Sequence, residues 1–484
     1  TLNNVPSGAV LVYSYLGYQS QEIAYTGQSS LNVSLIEDPS QLDAIVLIGY
    51  GSTTKENVTS AQTTVGTDEF NKGAITSPGQ LLAGKVAGVQ VTAASGRPGD
   101  GPVIRVRPGS TLSGTQDALY VVDGIPLDQS NASLNSINPN DIESFTILKD
   151  ASATAIYGNR ASNGVVLITT KKAKFTSDLK INYGVQFAVE KVDRYTDVLS
   201  ADEFRQLVVD QGRDPSLLGN ASTNWQEAIY NNATRSIHNI TAEKGYENTS
   251  IRASLGYNNE NGTLLKSGYE RTSLGVNVIQ KLLNNDLKLT FTSQFANEEI
   301  RNADGGAIGA AVVFDPTQPI FSGNNEFGGF FEFTNSTGPE PNAPRNPVGL
   351  LNSLDSELDN RQARVNLNAT YKLPVEGLSF TGNAGVDYNE FDSYYRVDPN
   401  SGAGARFAGR GFSNGIRRNQ LLDGRFDYKK NIESIATDME LTLGGSYQDF
   451  YRRSFNTDLD RSTSQLVQRR STPDVNWIAT QFAR

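Results

Sequence analysis

The sequence predicts an all-β-dominated protein whose larger part is a transmembrane antiparallel β-barrel. Three observations carry this. Glycine (45), tyrosine (20) and phenylalanine (21) are abundant against one methionine and two tryptophans, a bias towards strands and turns. From about residue 179, segments of about ten residues alternate apolar and polar positions, close to the length a tilted strand needs to cross a bilayer. Finally, the connections between these segments largely alternate short and long, as in barrels with tight periplasmic turns and long extracellular loops.

The elements follow in order. Residues 8–36 alternate in short runs broken by Gly and Ser, like a few strands of a small β-sandwich, too little to close a core alone. A linker near Pro39 leads to LDAIVLIGYG at 42–51, a compact β-prone run ended by Gly49 and Gly51. Residues 52–174 mix helix-like and strand-like stretches. Within them, SINPNDIESFTILKDASATAIYGNRASNGVVLITTKK at 136–172 sets two strands around a turn of small residues, where Gly158 and Gly164 supply backbone freedom.

After residue 175 the dyads are explicit. Ile181, Tyr183, Val185, Phe187 and Val189 share one face of the first. Ile251, Ala253, Leu255 and Tyr257 share a face of the next, followed by Leu287, Leu289, Phe291 and Phe295. Val365, Leu367, Ala369 and Tyr371, then Phe380, Ala384, Val386 and Tyr388, then Met439, Leu441, Leu443 and Tyr447 repeat the pattern. The turns 282–286, 374–377 and 429–434 are tight, whereas 190–235, 299–360 and 390–418 read as long loops, with one brief outer loop near 259–268. About nine strands are expected, and a barrel wide enough to hold residues 52–174 needs about 22, so the rest of the wall is expected beyond Arg484. Thr1 likewise reads as an internal start.

Several functions are excluded or disfavoured. A formal charge of −10 without a basic stripe argues against nucleic acid. With no cysteine, disulfides, thiolate metal sites and a cysteine nucleophile are ruled out. The single histidine, His238, cannot build a multi-histidine metal site. No GxxxxGK[ST] phosphate loop is present. Neither an enzyme nor a cofactor-binding protein is expected.

In order and spacing, LDAIVLIGYG, ALYVVDGIPLD (118–128) and IESFTILKDASATAIYGNRASNGVVLITTKK resemble the plug of the SusC/RagA family of TonB-dependent outer-membrane transporters. The resemblance divides the chain into the end of a carboxypeptidase-regulatory-like sandwich (1–38), a linker with a TonB box (39–51), an α+β plug (52–174) and the first part of the barrel (175–484). One departure is Pro108 in IRVRPGSTL, where the family usually has glycine; its fixed φ and missing N–H put the geometry near Arg107 in doubt.

The resemblance also assigns residues. Asp43, Ala44, Ile45, Val46, Leu47, Ile48, Gly49 and Tyr50 stand where the family has its TonB box, an extended segment that would add as a strand to a periplasmic partner; the alternative is a strand of the N-terminal sandwich. Arg107, Asp123, Gly124, Tyr157, Gly158, Arg160 and Gly164 are the plug-motif residues. Asp123 and Gly124 fit a tight strand-ending turn. Arg160 either pairs with an acidic residue inside the plug or reaches the barrel wall. In the loop 299–360, Phe327, Phe330, Phe331 and Phe333 would stack on sugar rings or line a peptide cleft, with loop packing or lid contact the plainer use.

The implied function is import of a bulky oligosaccharide or oligopeptide across the outer membrane of a Gram-negative bacterium. The implied partners are TonB with ExbB and ExbD, a SusD-like lipoprotein lid, membrane lipid, and a second SusC–SusD pair in a dimer. The rival readings are a receptor that signals to an anti-sigma factor, and a structural barrel or enzyme.

Overall fold

The computed structural model describes residues 62–92, 95–106, 116–127, 134–149, 155–404, 409–432 and 437–459, together with residue 33 and the strand segments 10–13, 21–24, 45–47, 52–54, 466–470 and 474–483. Near the N-terminus, β1 (Val10–Tyr13) pairs antiparallel with β2 (Gln21–Ala24), and β3 (Ile45–Leu47) with β4 (Ser52–Thr54).

The plug follows. A five-stranded sheet runs in the order β5 (Gln62–Gly66), β10 (Ile142–Leu148), β11 (Val165–Thr170), β8 (Leu119–Val122), β9 (Ile125–Pro126), while β6 (Gln90–Thr92) pairs with β7 (Val103–Arg105) apart from it. All sheet pairs are antiparallel except β11 with β8. Strands β8 and β11 are buried on both faces. Tyr120, Val122, Val166 and Ile168 join the larger core with Phe70, Leu82, Ile104, Phe145 and Ile147. Leu119, Val121, Val165 and Leu167 join a second core with Leu148, Tyr157 and Ala161. Two buried faces explain why VVLIT and LYVV are continuous apolar runs and not dyads.

The wall is a meander of long antiparallel strands. It comprises β12 (Lys180–Glu190), β13 (Ala233–Gly245), β14 (Thr249–Asn261), β15 (Gly268–Leu282) and β16 (Leu287–Arg301). A loop carrying the two-residue strands β17 (Thr334–Asn335) and β18 (Gly338–Pro339) then leads to β19 (Leu354–Lys372), β20 (Leu378–Val397), β21 (Gly409–Ile432) and β22 (Thr437–Leu459). The segments β23 (Leu466–Arg470) and β24 (Asp474–Ala483) both pair with β22 on the edge away from β21, sharing a tenth position.

Polarity in the wall is inverted relative to a water-soluble protein. Arg252, Arg271, Glu298 and Arg364 are less than 8% exposed, whereas Ile181, Leu422, Leu441 and Leu443 are more than half exposed. The apolar dyad faces therefore point outward to lipid and the polar faces inward to the plug. No helix among the described residues is long and apolar enough to cross a membrane, which says nothing of strands.

Two expected loops are shorter than the sequence suggests. β20 and β21 run to Val397 and from Gly409, and β16 and β19 run to Arg301 and from Leu354, into stretches read as loop. Above the lipid belt an outward face meets water, so EFDSYYRV and LDSELDN lose the apolar half of the dyad while keeping strand backbone.

Candidate functional site

The seat of the plug is polar, and three consecutive wall strands supply an arginine each. On β13, Arg235 donates to the Ala74 carbonyl (3.1 Å) and pairs with Glu190 and Glu260 of the wall. Arg252, on β14, meets Asp141 of the plug (Nη1 to Oδ1, 2.9 Å), and Ser254 two residues on donates to the other carboxylate oxygen (2.7 Å). Arg271, on β15, donates to the carbonyls of Thr76, Asn135 and Ile137. Alternation places Arg252, Ser254 and Asn258 on one inward face, so the placement follows from strand geometry.

Further along the wall, β19 and β21 hold the plug by amides. Asn366 of β19 donates to the Asp123 carbonyl (2.8 Å), and Asn419 of β21 to that of Pro126. Wall glycines sit where the plug comes closest: a Cβ on Gly385 would lie 2.7 Å from the Ile125 side chain, and one on Gly275 3.2 Å from Asp141. Around this seat, Lys171 donates to the Asn140 carbonyl (2.9 Å), and burial together with the Arg252 charge holds its ammonium below the usual lysine range.

The plug-motif residues fall into this picture as follows. Asp123 (φ +47°) and Gly124 (φ +92°) form the turn between β8 and β9, and the Asp123 carboxylate accepts from the Thr170 N–H (3.0 Å) and hydroxyl (2.8 Å). Tyr157 is buried in the second plug core. Gly158 and Gly164 both have positive φ, and a Cβ on Gly164 would lie 2.8 Å from Val106. Arg160 leaves the plug: its Nη2 donates to Gln448 of β22 (2.8 Å), and its guanidinium stands 5.2 Å from the Phe450 ring centroid. Among the described contacts, its hydrogen bond to the wall is to an amide. Arg107 and Pro108 lie outside the described residues, as do Asp43, Ala44, Ile48, Gly49 and Tyr50; of the TonB-box segment only the β3 backbone is described, paired with β4 and not with the N-terminal hairpin.

The loop phenylalanines are used by the loop itself. Phe331 and Phe333 pack on each other (5.3 Å between centroids) and on Phe314, which also meets Trp225 at 4.6 Å. Phe330 stacks on Phe321, and Phe327 takes a positive φ. Glu332 anchors the cluster from within: its Oε1 accepts from the Asn346 N–H, and burial pushes its carboxyl up. His238 faces outward among aromatics, bonded to the Tyr183 hydroxyl through Nδ1 (2.7 Å).

Residues 54–165 match the family model TonB-dependent Receptor Plug Domain. The TonB-dependent receptor SusC of Bacteroides thetaiotaomicron is 35% identical over 470 residues, 93% of this chain and 46% of that protein. This chain belongs to the SusC-like TonB-dependent outer-membrane receptors. The TonB-dependent receptor P26 of Formosa agariphila is 34% identical across 69% of this chain and 34% of its own length. In fold, the chain is similar to the RagAB peptide transporter (TM-score 0.71, 21% identity, 87% of this chain and 52% of that one). It spans about half the length of the relatives it matches. Receptors of this family reside in the outer membrane and are not enzymes. Arg235, Arg252, Arg271 and Asp141 were not singled out from the sequence; the available signal was a charged residue at an inward dyad position, as in SIRASLG.

Proposed function

We propose that the protein imports a bulky nutrient, an oligosaccharide or oligopeptide, by TonB-driven displacement of the plug. The observation that carries this reading is the plug seat itself. The contacts described above are ion pairs, hydrogen bonds and a few close glycine approaches, so a pull breaks discrete polar links that re-form when it relaxes. Force would enter at Asp43 to Tyr50, where an extended segment offers main-chain hydrogen bonds to TonB, energised by ExbB and ExbD. A barrel wide enough to hold the plug favours a SusD-like lipoprotein as lid, with two such pairs forming a dimer; the RagAB peptide importer, which the chain resembles in fold, is described in 'open-open' and 'closed-closed' states.

Deleting residues 43–50 from the full-length receptor tests the pulling step. Cargo binding at the cell surface and outer-membrane abundance should stay at wild-type levels while uptake is lost. Normal uptake by the deletion strain would refute the proposal. Purification in mild detergent tests the lid, and a solitary barrel would count against it.

A further inference from the structure

One stretch of the wall fastens the plug along its whole height. At the periplasmic end, residues 171–179 lead from β11 into β12 and are bound on the way. The Thr176 and Ser177 N–H groups donate to the carbonyls of Tyr246 and Gly245 (3.0 and 3.1 Å), the Ser250 hydroxyl donates to the Ala173 carbonyl, and the Lys281 ammonium stands 4.0 Å from the Phe175 ring centroid. At mid-height Arg235, Arg252 and Arg271 grip the plug, joined by the Asn138 amide, which donates to Asn239 of β13 (2.8 Å). At the outer end the plug loop 95–101 takes over. Arg97 donates to Asn302 (3.2 Å), the Pro98 ring lies 2.8 Å from where a Cβ on Gly262 would stand, and the Gly99 backbone packs on the Tyr269 ring. Every wall partner named here is on β13 to β16 or in the turns that join or follow them.

Among the described residues, β19 to β22 hold the plug by less. Asn366 and Asn419 each give one amide bond to a plug carbonyl, Arg160 gives one to Gln448 beside Phe450, and Gly385 approaches Ile125. Amide-to-carbonyl bonds are roughly half as strong as charge-assisted ones. Parting them leaves neutral groups that water satisfies, whereas parting Arg252 from Asp141 would strand two buried charges. The chain itself adds a tether on the β13 side, because residues 171–179 join the plug to β12 there. The part of the plug that faces β19 to β21 is the turn at Asp123 and the edge strand β9, at the far end of the sheet from β5.

We propose that the pulled plug swings about its β13–β16 side and that the passage opens between its β9 edge and β19 to β22. A pull loads both sides through one folded sheet, so the side with fewer and weaker links parts first. The anchored side then serves as hinge and returns the plug to its seat when the pull ends. This rests on displacement of the plug by TonB, and adds where the opening lies.

The test uses the full-length receptor in cells, and no cysteine of this chain competes with introduced thiols. Oxidation joins Ile125→Cys to Gly385→Cys across the proposed opening, and Asn138→Cys to Asn239→Cys on the anchored side. Uptake should fall about tenfold or more when the first pair is oxidised and recover on reduction, and should stay within about twofold of its reduced level when the second is oxidised. Single cysteines give a separate readout that needs no crosslink. Asn383→Cys stands beside the plug turn at Gly124 and Asn258→Cys on β14, both at buried positions. With TonB present, labelling by an impermeant maleimide should rise roughly tenfold at the first and stay level at the second, relative to cells without TonB. Four results would each overturn the placement: the second crosslink alone blocking uptake, both blocking it, neither blocking it, or equal labelling at the two positions with TonB present. Loss of uptake on deleting residues 43–50 is expected whichever side opens, so the import reading and this placement fail separately.

Discussion

Arg252 of the wall and Asp141 of the plug form an ion pair at 2.9 Å with both side chains at least nine-tenths buried, and Ser254 completes the carboxylate's contacts. Such a pair is a poor source of net stability, because desolvating two charges offsets their attraction. Removing one partner is different, since it strands the other charge. Asp141→Ala should loosen the plug by about 3–5 kcal/mol, whereas the double change Asp141→Leu with Arg252→Met should recover most of that. Single-channel conductance of the purified receptor reads the result: frequent openings in the single variant and quiet traces in the double one are expected. Equal leakage from both would show that the pair does not hold the plug.

The amide side of the seat should respond more weakly. Asn366→Ala removes one neutral hydrogen bond to the Asp123 carbonyl and should cost about 1 kcal/mol. In the same conductance assay, openings well below those of Asp141→Ala are expected, and openings as frequent would reverse the ranking.

Gly385 tests the fit between wall and plug. Gly385→Val would drive a side chain into Ile125, at a cost of about 1–3 kcal/mol for overpacking. Adding Ile125→Ala should restore thermal stability of the plug, measured by limited proteolysis on heating. Failure of that rescue would mean the strain lies elsewhere.

Tyr120 gives a pH signature. Burial pushes its phenol up to about 12 from an ordinary 10. A raised folded value means that the unfolded plug releases this proton first, so the stabilisation is complete below pH 10 and is lost as pH rises from 10 to 12. The loss amounts to about 2.7 kcal/mol at the top of that window. Ultraviolet titration of the tyrosinate, wild type against Tyr120→Phe, should show one late-ionising group missing in the variant; identical curves would remove Tyr120 from the account.

The sequence by itself determined the wall and much of the plug sheet. Met439, Leu441, Leu443 and Tyr447 could sit on one face of a strand only by alternation, and a face that apolar had to meet lipid or a second sheet. The plug motif was legible through its resemblance, and β10 and β11 stand where it placed them. Only the tertiary structure decided which inward polar residues meet the plug. Arg252 and Arg364 look alike in the sequence, each an arginine at an inward dyad position, yet one pairs with Asp141 of the plug and the other with Asp387 of the neighbouring strand. Strand periodicity fixes the face on which a side chain lies, but its partner across the lumen is separated by more than a hundred residues of chain, and that pairing is set by how the plug sits in the barrel.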